Sequence, residues 1–375
     1  MTGRLYYNRH RKKWQCIVEC GKDADGRRKQ IFRDARTKAE ARQILQKLLH
    51  DLEDGTHVEP HNLTVAEYLR SHHADHARHH ASPRTHECNG YLVEAHLVPG
   101  LGAHKLTELR PAHLQSYYSA KLDRGLSPTT VRKHHNVLHA ALRHAVRLQL
   151  LAVNPADSVV PPRIVHKEMR FLDAGQSAAM LRAAAGTRLY MPLLLALGTG
   201  MRRGELLGLR WSDVDLDGGT LIVTQTVQEA FGQLHIKEPK TAKSQRRITL
   251  PALVVDALRA YRTEQAKETL ARAPRSAESD LVLTSPDGGP WWPSYFNRTW
   301  QRFKKRQGLA VRFHDLRHTH ATQLLKAGVH PKVVSERLGH ASIGITLDTY
   351  SHVMPGMQEE AAEKIDAGLR KALAG

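Results

Sequence analysis

Four separated pieces of the C-terminal half of the sequence supply the groups that a phosphodiester transfer requires. The first has Arg202, Arg203 and Glu205, and the second has Lys240 and Lys243. The third has His314, Arg317, His318 and His320, and the fourth has His340, Tyr350 and His352. A tyrosine with its ordinary pKa of about 10 is ionised in only about one molecule in a thousand at neutral pH, so a nucleophilic tyrosine needs nearby positive charge or a proton acceptor. Two arginines can hold the non-bridging phosphate oxygens, and a lysine or histidine can protonate the leaving alkoxide. The sequence around these residues has no carboxylate cluster that would indicate a catalytic metal ion.

Within its own segment, GHASIGITLDTYSHV (residues 339–353), Tyr350 has the spacing of a packed aromatic side chain. Ser342 is suited to start a helix, and Ile343 and Leu347 would then face inward on the same side as Tyr350. Helical spacing alone therefore predicts a core tyrosine. The groups that would make it reactive lie far away in the sequence.

The helix before that segment has a clear start and end. It begins near Pro331 and ends at Gly339, so His340 follows the helix directly. The predicted apolar side of this helix consists of Val333, Val334 and Leu338.

The motif HDLRH (residues 314–318) opens another predicted helix. We expect Asp315 to cap a helix that runs to Lys326 and closes at Gly328. His314 and Arg317, three residues apart, would lie one turn from each other at its N-terminal end. That end favours an anion, because it has partial positive charge and free backbone N–H groups. By itself the motif fits either a phosphate clamp or an ordinary salt-bridged helix end. The predicted core side is Leu316, Ala321, Leu324 and Leu325.

The region from Phe171 onward is predicted to mix helices and strands. YMPLLLALGTG (190–200) is an apolar helix that ends at glycines, and RRGELLGL (202–209) is another. TLIVTQTVQ (220–228) and RRITLP (246–251) bracket a sheet, and four or more helices follow.

Residues from about 62 to 156 have the pattern of helices. Pro111 opens one at its first position, and Ser127 with Pro128 opens a second, which stops before Asn154-Pro155. The apolar side of the second helix comprises Val131, Val137, Leu138, Ala141, Leu142, Ala145 and Val146. Arg132, Lys133, Arg143 and Arg147 are spread around the rest. The stretch DSVVPPRIVHKE (157–168) has two prolines and little periodicity, which indicates an interdomain linker.

The first 55 residues are predicted to form three short strands and one helix. LYYN, KWQCIVEC and RKQIFRD are rich in β-formers, and Thr37 with Glu40 forms a capping box at a helix start. The outer face is rich in arginine and lysine, so it is either a solvated charged face or a DNA-binding sheet.

The histidine-dense patch HHADHARHH (residues 72–80) raises the possibility of a metal site. Imidazoles at positions i and i+4, such as His72 and His76, can share a divalent ion. No cysteine or carboxylate constellation completes a site there, and histidine is abundant throughout the sequence. The patch is therefore interpreted as incidental surface histidine, and no metal site is predicted.

Composition favours a large anionic partner. The chain has 375 residues, which predicts two or three domains, and its 56 lysines and arginines against 37 acids give a net charge of +19. Nucleic acid is the first candidate partner. A membrane is not expected, because no apolar run approaches the roughly 18–20 residues of a spanning helix, and the basic N-terminus lacks a signal-peptide core. Three scattered cysteines (Cys16, Cys20 and Cys88) predict neither a disulfide framework nor a zinc site, so a cytosolic protein is expected.

Five ordered motifs resemble those of phage-type integrases of the tyrosine recombinase family. They are GMRRGEL, the PKT of EPKTAKSQRR, HDLRH, LGH and LDTYSH. The resemblance covers nearly the whole chain. It implies an α+β multidomain fold with a small N-terminal module of three strands and a helix, an all-helical core-binding domain, and a mainly helical catalytic domain with a small antiparallel sheet. The implied boundaries are 1–58 for an arm-site DNA-binding module, 62–156 for the core-binding domain, 157–168 for the linker and 169–375 for the catalytic domain.

The resemblance also implies a role for each matching residue. Tyr350 would be the nucleophile, and the phosphate would be held by Arg202, His314, Arg317 and His340. Glu205 would orient Arg202. Lys240 would protonate the 5′-oxygen, with Lys243 as the alternative because the length of that loop varies. Arg132, Lys133, Arg143 and Arg203 are the candidate DNA-binding residues.

The implied reaction is site-specific recombination through a 3′-phosphotyrosine, without ATP, metal or other cofactor. The implied partners are double-stranded DNA attachment sites and three further copies of the chain in a tetramer on DNA. A DNA-bending host factor and an excisionase are left open, and a nucleoid-associated cytoplasmic protein is implied. The C-terminal stretch PGMQEEAAEKIDAGLRKALAG is expected to form an amphipathic helix that docks on a neighbouring protomer or on its own domain.

Three other functions compete with this interpretation. A chromosome-dimer resolvase is one, although such enzymes usually lack an N-terminal module like residues 1–55. A type IB topoisomerase-like enzyme would use similar groups but reseal the same strand. A non-catalytic DNA-binding protein would account for the charge but not for the complete catalytic set.

Overall fold

The structure is a computed structural model of the chain that describes residues 3–22, 26, 28–54, 57–58, 61–164, 169–237, 245–271, 280–350 and 357–373. The chain divides into two compact units, Met1–His166 (unit 1) and Lys167–Gly375 (unit 2). Each unit has a large buried hydrophobic cluster of its own. Each core can therefore be explained from the residues of one unit.

Unit 1 begins with a three-stranded antiparallel sheet and a helix, as the sequence predicts. The strands are β1 (Gly3–Asn8), β2 (Lys13–Lys22) and β3 (Arg28–Ala35), in the order β1-β2-β3, and the helix is α1 (Lys38–Glu53). Its small core consists of Cys16, Val18, Ala35, Ala41 and Leu48, all buried.

The start of α1 differs from the prediction in one detail. The Thr37 hydroxyl accepts a hydrogen bond from the Glu40 backbone N–H at 3.2 Å, as predicted. The Glu40 carboxylate, however, accepts from the backbone N–H of Arg36 at 2.8 Å. The helix therefore starts where predicted, but the capping box is only half formed.

The remainder of unit 1 is helical. Its elements are α2 (Val65–Ser71), a π-helical turn (His72–Ala77), α3 (Arg78–His80), α4 (Pro83–Leu92), a second π-helical turn (Val93–Leu97), α5 (Val98–Leu101), a 3-10 turn (Leu106–Glu108), α6 (Pro111–Asp123) and α7 (Pro128–Arg147). Pro111 and Pro128 each occupy a first helical position, and Ser127 caps α7, as predicted.

Helix α7 buries two histidines that the apolar pattern did not predict. His134 and His135 are buried beside Val131 and Leu138. Nδ1 of His134 is hydrogen-bonded to the Tyr117 hydroxyl at 3.0 Å, and Nδ1 of His135 makes the same contact with the next tyrosine, Tyr118. These tyrosines on α6 give each buried imidazole one hydrogen-bond partner, at Nδ1, because a polar atom in a core needs one, whereas Nε2 of His134 has none among the described residues.

Unit 2 is mainly helical with small antiparallel sheets, as predicted. Its helices are α8 (Ala174–Ala184), α9 (Tyr190–Thr199), α10 (Arg203–Leu207), a 3-10 turn (Trp211–Asp213), α11 (Ala252–Ala271), α12 (Pro293–Arg306), α13 (Asp315–Lys326), α14 (Pro331–Leu338), α15 (Ile343–Tyr350) and α16 (Met357–Leu373). The strands are β4 (Val214–Asp215), β5 (Thr220–Val223), β6 (Thr226–Ala230), β7 (Gln233–Lys237) and β8 (Arg246–Thr249). They form a sheet in the order β4-β5-β8 and a separate hairpin, β6-β7.

Gly200 ends α9 at a point where a larger residue would not fit. Its φ of +68° is left-handed, and a Cβ there would lie 2.6 Å from Cδ2 of Leu338 and 2.7 Å from Cδ2 of His320. The absence of a side chain lets α9 approach α13 and α14 closely.

Three sequence-based expectations about α13, α14 and α15 are wrong. Asp315 is the first residue of α13 and not its cap, because its carboxylate accepts hydrogen bonds from Arg312. Val333 is 51% exposed, so the buried side of α14 is Val334 and Leu338.

The third wrong expectation concerns the inward face of α15. Ile343 and Leu347 are 36% and 38% exposed, whereas Thr346 is buried completely and Tyr350 almost completely. The hydroxyls of Thr346 and Tyr350 have partners inside unit 2, so the polar-looking face of the helix is the one that packs.

Among the described residues, no helix combines the length and the apolar character that crossing a membrane requires.

Candidate active site

A cavity of about 480 Å³ in unit 2 brings together five of the six predicted catalytic residues. Its lining includes Arg202, His314, Arg317, His318, His340 and Tyr350. These side chains come from the start of α10, the start of α13 and the segment from the end of α14 to the end of α15. Lys240 and its alternative, Lys243, lie outside the described residues.

Arg202 is held at the start of α10 with its charge open to the cavity. Its Nη1 donates to Oε1 of Glu205 at 2.8 Å, and its Nη2 donates to the carbonyl oxygen of Gly339 at 3.2 Å. The side chain is still 42% exposed. Glu205 and Gly339 therefore orient the Arg202 side chain while part of its guanidinium stays accessible from the cavity, as an arginine that binds a phosphate must be.

Glu205 is the buried anion that orders this side of the cavity. Its carboxylate accepts from the Arg202 backbone N–H at 2.8 Å and from Nη2 of Arg246 at 2.7 Å. Burial would raise the pKa of Glu205, but the hydrogen bond and charge of Arg246, with the charge of Arg202, lower that pKa to about 2. Glu205 is therefore ionised at neutral pH and serves as an orienting group.

Arg246 was missed by the sequence analysis. It lies on β8, its side chain is 6% exposed, and its Nε donates to the Arg337 carbonyl oxygen at 2.8 Å. The strand burial alternates, with Arg246 and Ile248 inward and Arg247 outward. An arginine in register with an inward isoleucine is a signal that could have identified it, because a buried charge needs a partner.

Arg317 is buried between two helix C-termini. Its Nη1 donates to the Gly200 carbonyl oxygen and its Nη2 to the Leu338 carbonyl oxygen, both at 2.7 Å. Burial and the neighbouring Arg202 lower the pKa of Arg317 to about 9. The guanidinium thus remains charged at neutral pH. The partial negative charge at the ends of α9 and α14 favours that cation.

Tyr350 is both packed and part of the cavity lining. Only 2% of its surface is exposed, and it belongs to a hydrophobic cluster with Ala321, Leu325, Val334 and Leu338. Its hydroxyl is hydrogen-bonded to Nδ1 of His318 at 2.6 Å. Burial raises the pKa of Tyr350 to about 12, although the charge of Arg317 opposes the rise. The tyrosine is therefore protonated in this structure.

His318 is the residue whose importance the sequence analysis did not recognise. It belongs to the HDLRH motif but received no role of its own. Burial and the neighbouring His314 lower the pKa of His318 to about 4. A neutral imidazole beside the tyrosine hydroxyl can accept its proton.

The remaining two histidines complete the lining. Nδ1 of His340 is hydrogen-bonded to the Thr346 hydroxyl at 2.7 Å, which fixes the ring across the turn between α14 and α15. Burial, with the charges of Arg317 and Arg202, lowers the pKa of His340 to about 4. Partial desolvation by the surrounding groups, with the charge of Arg317, lowers the pKa of His314, although the residue itself is exposed to solvent.

The candidate DNA-binding residues lie elsewhere. Arg203 is exposed and is not among the residues that line the cavity. Lys133 and Arg143 are exposed on α7 in unit 1, whereas Arg132 is half-buried and donates to the Pro162 carbonyl oxygen at 3.3 Å.

Comparison with known proteins decides the family. The sequence model of the phage integrase family matches residues 169–356, which include every catalytic candidate. The chain belongs to the phage integrase family. It is a site-specific tyrosine recombinase and not a non-catalytic DNA-binding protein.

Several relatives of this phage-type integrase match along most of their length. A protein of Caldanaerobacter subterraneus subsp. tengcongensis named tyrosine recombinase XerC-like is 28% identical over 96% of this chain and 97% of its own. An integrase of Streptomyces ambofaciens is 28% identical over 96% and 94%. The ICEBs1 integrase of Bacillus subtilis is 25% identical over 76% and 78%.

Solved structures support the fold of this integrase. A Tn1549 transposon integrase in complex with transposon right end DNA superimposes with a TM-score of 0.68, at 22% identity over 81% of this chain and 99% of that one. A lambda integrase tetramer bound to a Holliday junction has a TM-score of 0.60, at 18% identity over 92% and 94%. The predicted α+β fold class is confirmed.

Proposed function

We propose that this integrase exchanges DNA strands at attachment sites with Tyr350 as nucleophile and Arg202, His314, Arg317 and His340 holding the phosphate. The observation that carries the proposal is the single cavity in which these five side chains meet. Two guanidinium groups and two histidines around one tyrosine hydroxyl match the charge that develops on a pentacovalent phosphate.

The proton of Tyr350 goes to His318 in this mechanism. As the tyrosine oxygen bonds to phosphorus, its proton passes to Nδ1 of His318, 2.6 Å away. The bond from phosphorus to the 5′-oxygen breaks, and Lys240 gives that oxygen a proton. A 3′-phosphotyrosine and a 5′-hydroxyl result. The 5′-hydroxyl of a second duplex then attacks the phosphotyrosine and gives its proton to Lys240, Tyr350 regains its proton from His318, and no ATP is consumed.

The high pKa of Tyr350 is consistent with a tyrosine that reacts only after a phosphate has bound in the cavity. With a pKa of about 12, Tyr350 is protonated at neutral pH in the free protein and is a weak nucleophile. A phosphate in the cavity would meet Arg202 from its exposed side and bring the transferable bond next to the tyrosine. Attack would then depend on a correctly placed phosphate, which limits cleavage to assembled sites.

The rest of the chain is assigned to DNA binding and assembly. We assign residues 1–58 to arm-site binding, 62–156 to core-site binding, 157–168 to a linker and 169–375 to catalysis. Lys133, Arg143, Arg203 and the half-buried Arg132 are assigned to the DNA backbone. Four protomers would act on two duplexes, and the exposed helix α16 is available to dock within its own domain or on a neighbour. A DNA-bending host factor and an excisionase are further proposed partners, and a nucleoid-associated location is proposed with them.

A chromosome-dimer resolvase is the second candidate function. It rests on the XerC-like relative, which matches over 97% of its own length. The N-terminal sheet module favours an integrase, because an integrase would use such a module to bind arm sites. Recombination between two different attachment sites would support an integrase, whereas exchange only between identical sites would support a resolvase.

The catalytic proposal is tested by trapping the covalent intermediate. The substrate is a nicked duplex with the sequence that the purified protein protects from nuclease. We expect a protein–DNA band on denaturing gels from the wild type and none from Tyr350→Phe. Tyr295→Phe is the matched control, because Tyr295 is a partly exposed tyrosine of the same unit outside the cavity. A band that persists in Tyr350→Phe, or disappears equally in Tyr295→Phe, would contradict the assignment.

A further inference from the structure

Three histidines of unit 1 lie close together in space, although only two of them are close in sequence. His72 and His76 are on the π-helical turn that continues α2, and His144 is near the end of α7. One ring nitrogen from each lies within 4.8 Å of the other two. The ring centroids of His76 and His144 are 3.8 Å apart with the rings stacked at 13°, and those of His72 and His144 are 5.1 Å apart. The His76 and His144 rings must therefore rotate for their lone pairs to converge on one ion.

The backbone around this cluster is unusual. A π-helical turn covers His72–Ala77. Such turns are rare inside helices and are found frequently at functional sites. In this chain the turn carries two of the three histidines.

The hydroxyl of Tyr68 lies beside His144. The Tyr68 hydroxyl donates to the Ala141 carbonyl oxygen at 2.7 Å, so its oxygen is left to accept a hydrogen bond. Nδ1 of His144 lies 3.5 Å from that oxygen. A proton on Nδ1 would complete this contact and leave the lone pair of Nε2 for a ligand. Metal-binding histidines are commonly oriented by such a hydrogen bond on the other ring nitrogen.

The donor set selects the class of ligand. Three imidazole nitrogens without a carboxylate suit Zn²⁺, Co²⁺, Ni²⁺ or Cu²⁺, and they do not suit Mg²⁺ or Ca²⁺, which prefer oxygen. Three protein ligands leave a fourth position for water. The sequence analysis interpreted these histidines as incidental because no cysteine or carboxylate constellation completes a site there and histidine is abundant, and it did not consider a distant histidine as the third ligand. Packing of α7 against the π-helical turn supplies one.

We propose that His72, His76 and His144 form a binding site for a transition-metal dication of the Zn²⁺ class. The ion would join α2 and its π-helical turn to α7, and so stabilise the helical part of unit 1. Arg147, exposed at the end of α7, contributes positive charge at all three imidazoles and would weaken the site. This inference does not rest on the proposed catalytic mechanism.

The test uses the full-length protein after dialysis against a chelator. Co²⁺ is titrated in, and visible d–d absorption reports tetrahedral binding, with Zn²⁺ added to compete. We expect one strong site per chain, with no thiolate charge-transfer band because all ligands are imidazoles. Thermal unfolding of the Zn²⁺-loaded protein should begin at a higher temperature than that of the stripped protein.

Variants separate a built site from the general affinity of a histidine-rich chain. His144→Gln and His76→Gln should each weaken Co²⁺ binding by more than about tenfold, since even changes to outer-shell partners have that effect. His79→Gln, an exposed histidine in the same patch, is the matched control and should leave affinity unchanged. Arg147→Gln should strengthen binding several-fold.

Two outcomes would overturn the proposal. One is the same loss of affinity in His79→Gln as in His144→Gln, which would indicate scattered surface binding. The other is the absence of a strong Co²⁺ or Zn²⁺ site in wild-type protein with a normal circular dichroism spectrum. Circular dichroism also shows whether each variant is folded. Two ligand variants are used so that one still tests the site if the other does not fold.

Discussion

The hydroxyl of Tyr350 lies 2.6 Å from Nδ1 of His318, and Tyr350 is buried in unit 2 whereas His318 is half-buried. The two residues are 32 positions apart, on the last turn of α15 and the first turns of α13. The same tyrosine is thus a core residue and a candidate nucleophile, because only its hydroxyl needs to face the phosphate.

We predict that His318→Ala slows formation of the covalent intermediate by about 10²–10⁴-fold, the usual contribution of general base catalysis. The measurement is the single-turnover cleavage rate on the nicked duplex. Added imidazole should restore part of the rate in His318→Ala but should have no effect on Tyr350→Phe. If imidazole restores nothing and DNA binding is intact, His318 only packs against the tyrosine.

We predict that Arg202 and Arg203 respond differently to substitution. Arg202→Ala should reduce cleavage by about a thousandfold or more, because an arginine on a transferring phosphoryl group has an effect of that size. Arg203→Ala should weaken DNA binding but leave the rate on saturated DNA nearly unchanged. Gel-shift affinities and single-turnover rates on the same duplex separate the two effects. Equal loss of cleavage at saturating DNA in both variants would assign Arg203 to the reaction as well.

We predict that Arg246→Ala destabilises unit 2 by about 3–5 kcal/mol, because it removes the closest partner of the buried Glu205 carboxylate. Arg247→Ala, at the neighbouring outward position, should change the free energy of unfolding by no more than about 0.5 kcal/mol. Urea unfolding followed by the tryptophan fluorescence of unit 2 provides the comparison. Similar midpoints for the two variants would show that Glu205 is satisfied without Arg246.

We predict that unit 1 loses stability as the pH falls from about 6.5 to about 4. Burial, followed by the charges of His96 and Lys121, lowers the pKa of His134 to about 4, whereas an unfolded histidine has a pKa of about 6.5. The unfolded chain therefore binds the proton first, and each such histidine removes up to about 1.4 kcal/mol of stability per pH unit in that window.

The check on this pH dependence is a series of urea unfolding curves at several pH values. His134→Gln should lower the slope of stability against pH, and the exposed His79→Gln should leave it unchanged. The same slope in His134→Gln as in the wild type would assign the pH dependence to other groups.

The sequence by itself determined the local structure and the set of reactive residues. Pro111 and Pro128 start helices because proline fixes its φ angle near the helical value. Gly200 and Gly339 end helices because glycine can adopt a left-handed φ. The catalytic candidates could be recognised because their types, order and motifs resemble a family. Such signals act over a few residues, and the sequence carries them directly.

Only the tertiary structure decided which distant side chains meet. Arg246 pairs with Glu205 across 41 residues. His318 meets Tyr350, and His144 joins His72 and His76. The inward face of α15 was predicted from hydrophobicity as Ile343 and Leu347, yet it is Thr346 and Tyr350, because buried hydrogen-bond partners were available for their hydroxyls. Those partners exist only after the helices have packed, so no local pattern in the sequence could reveal them.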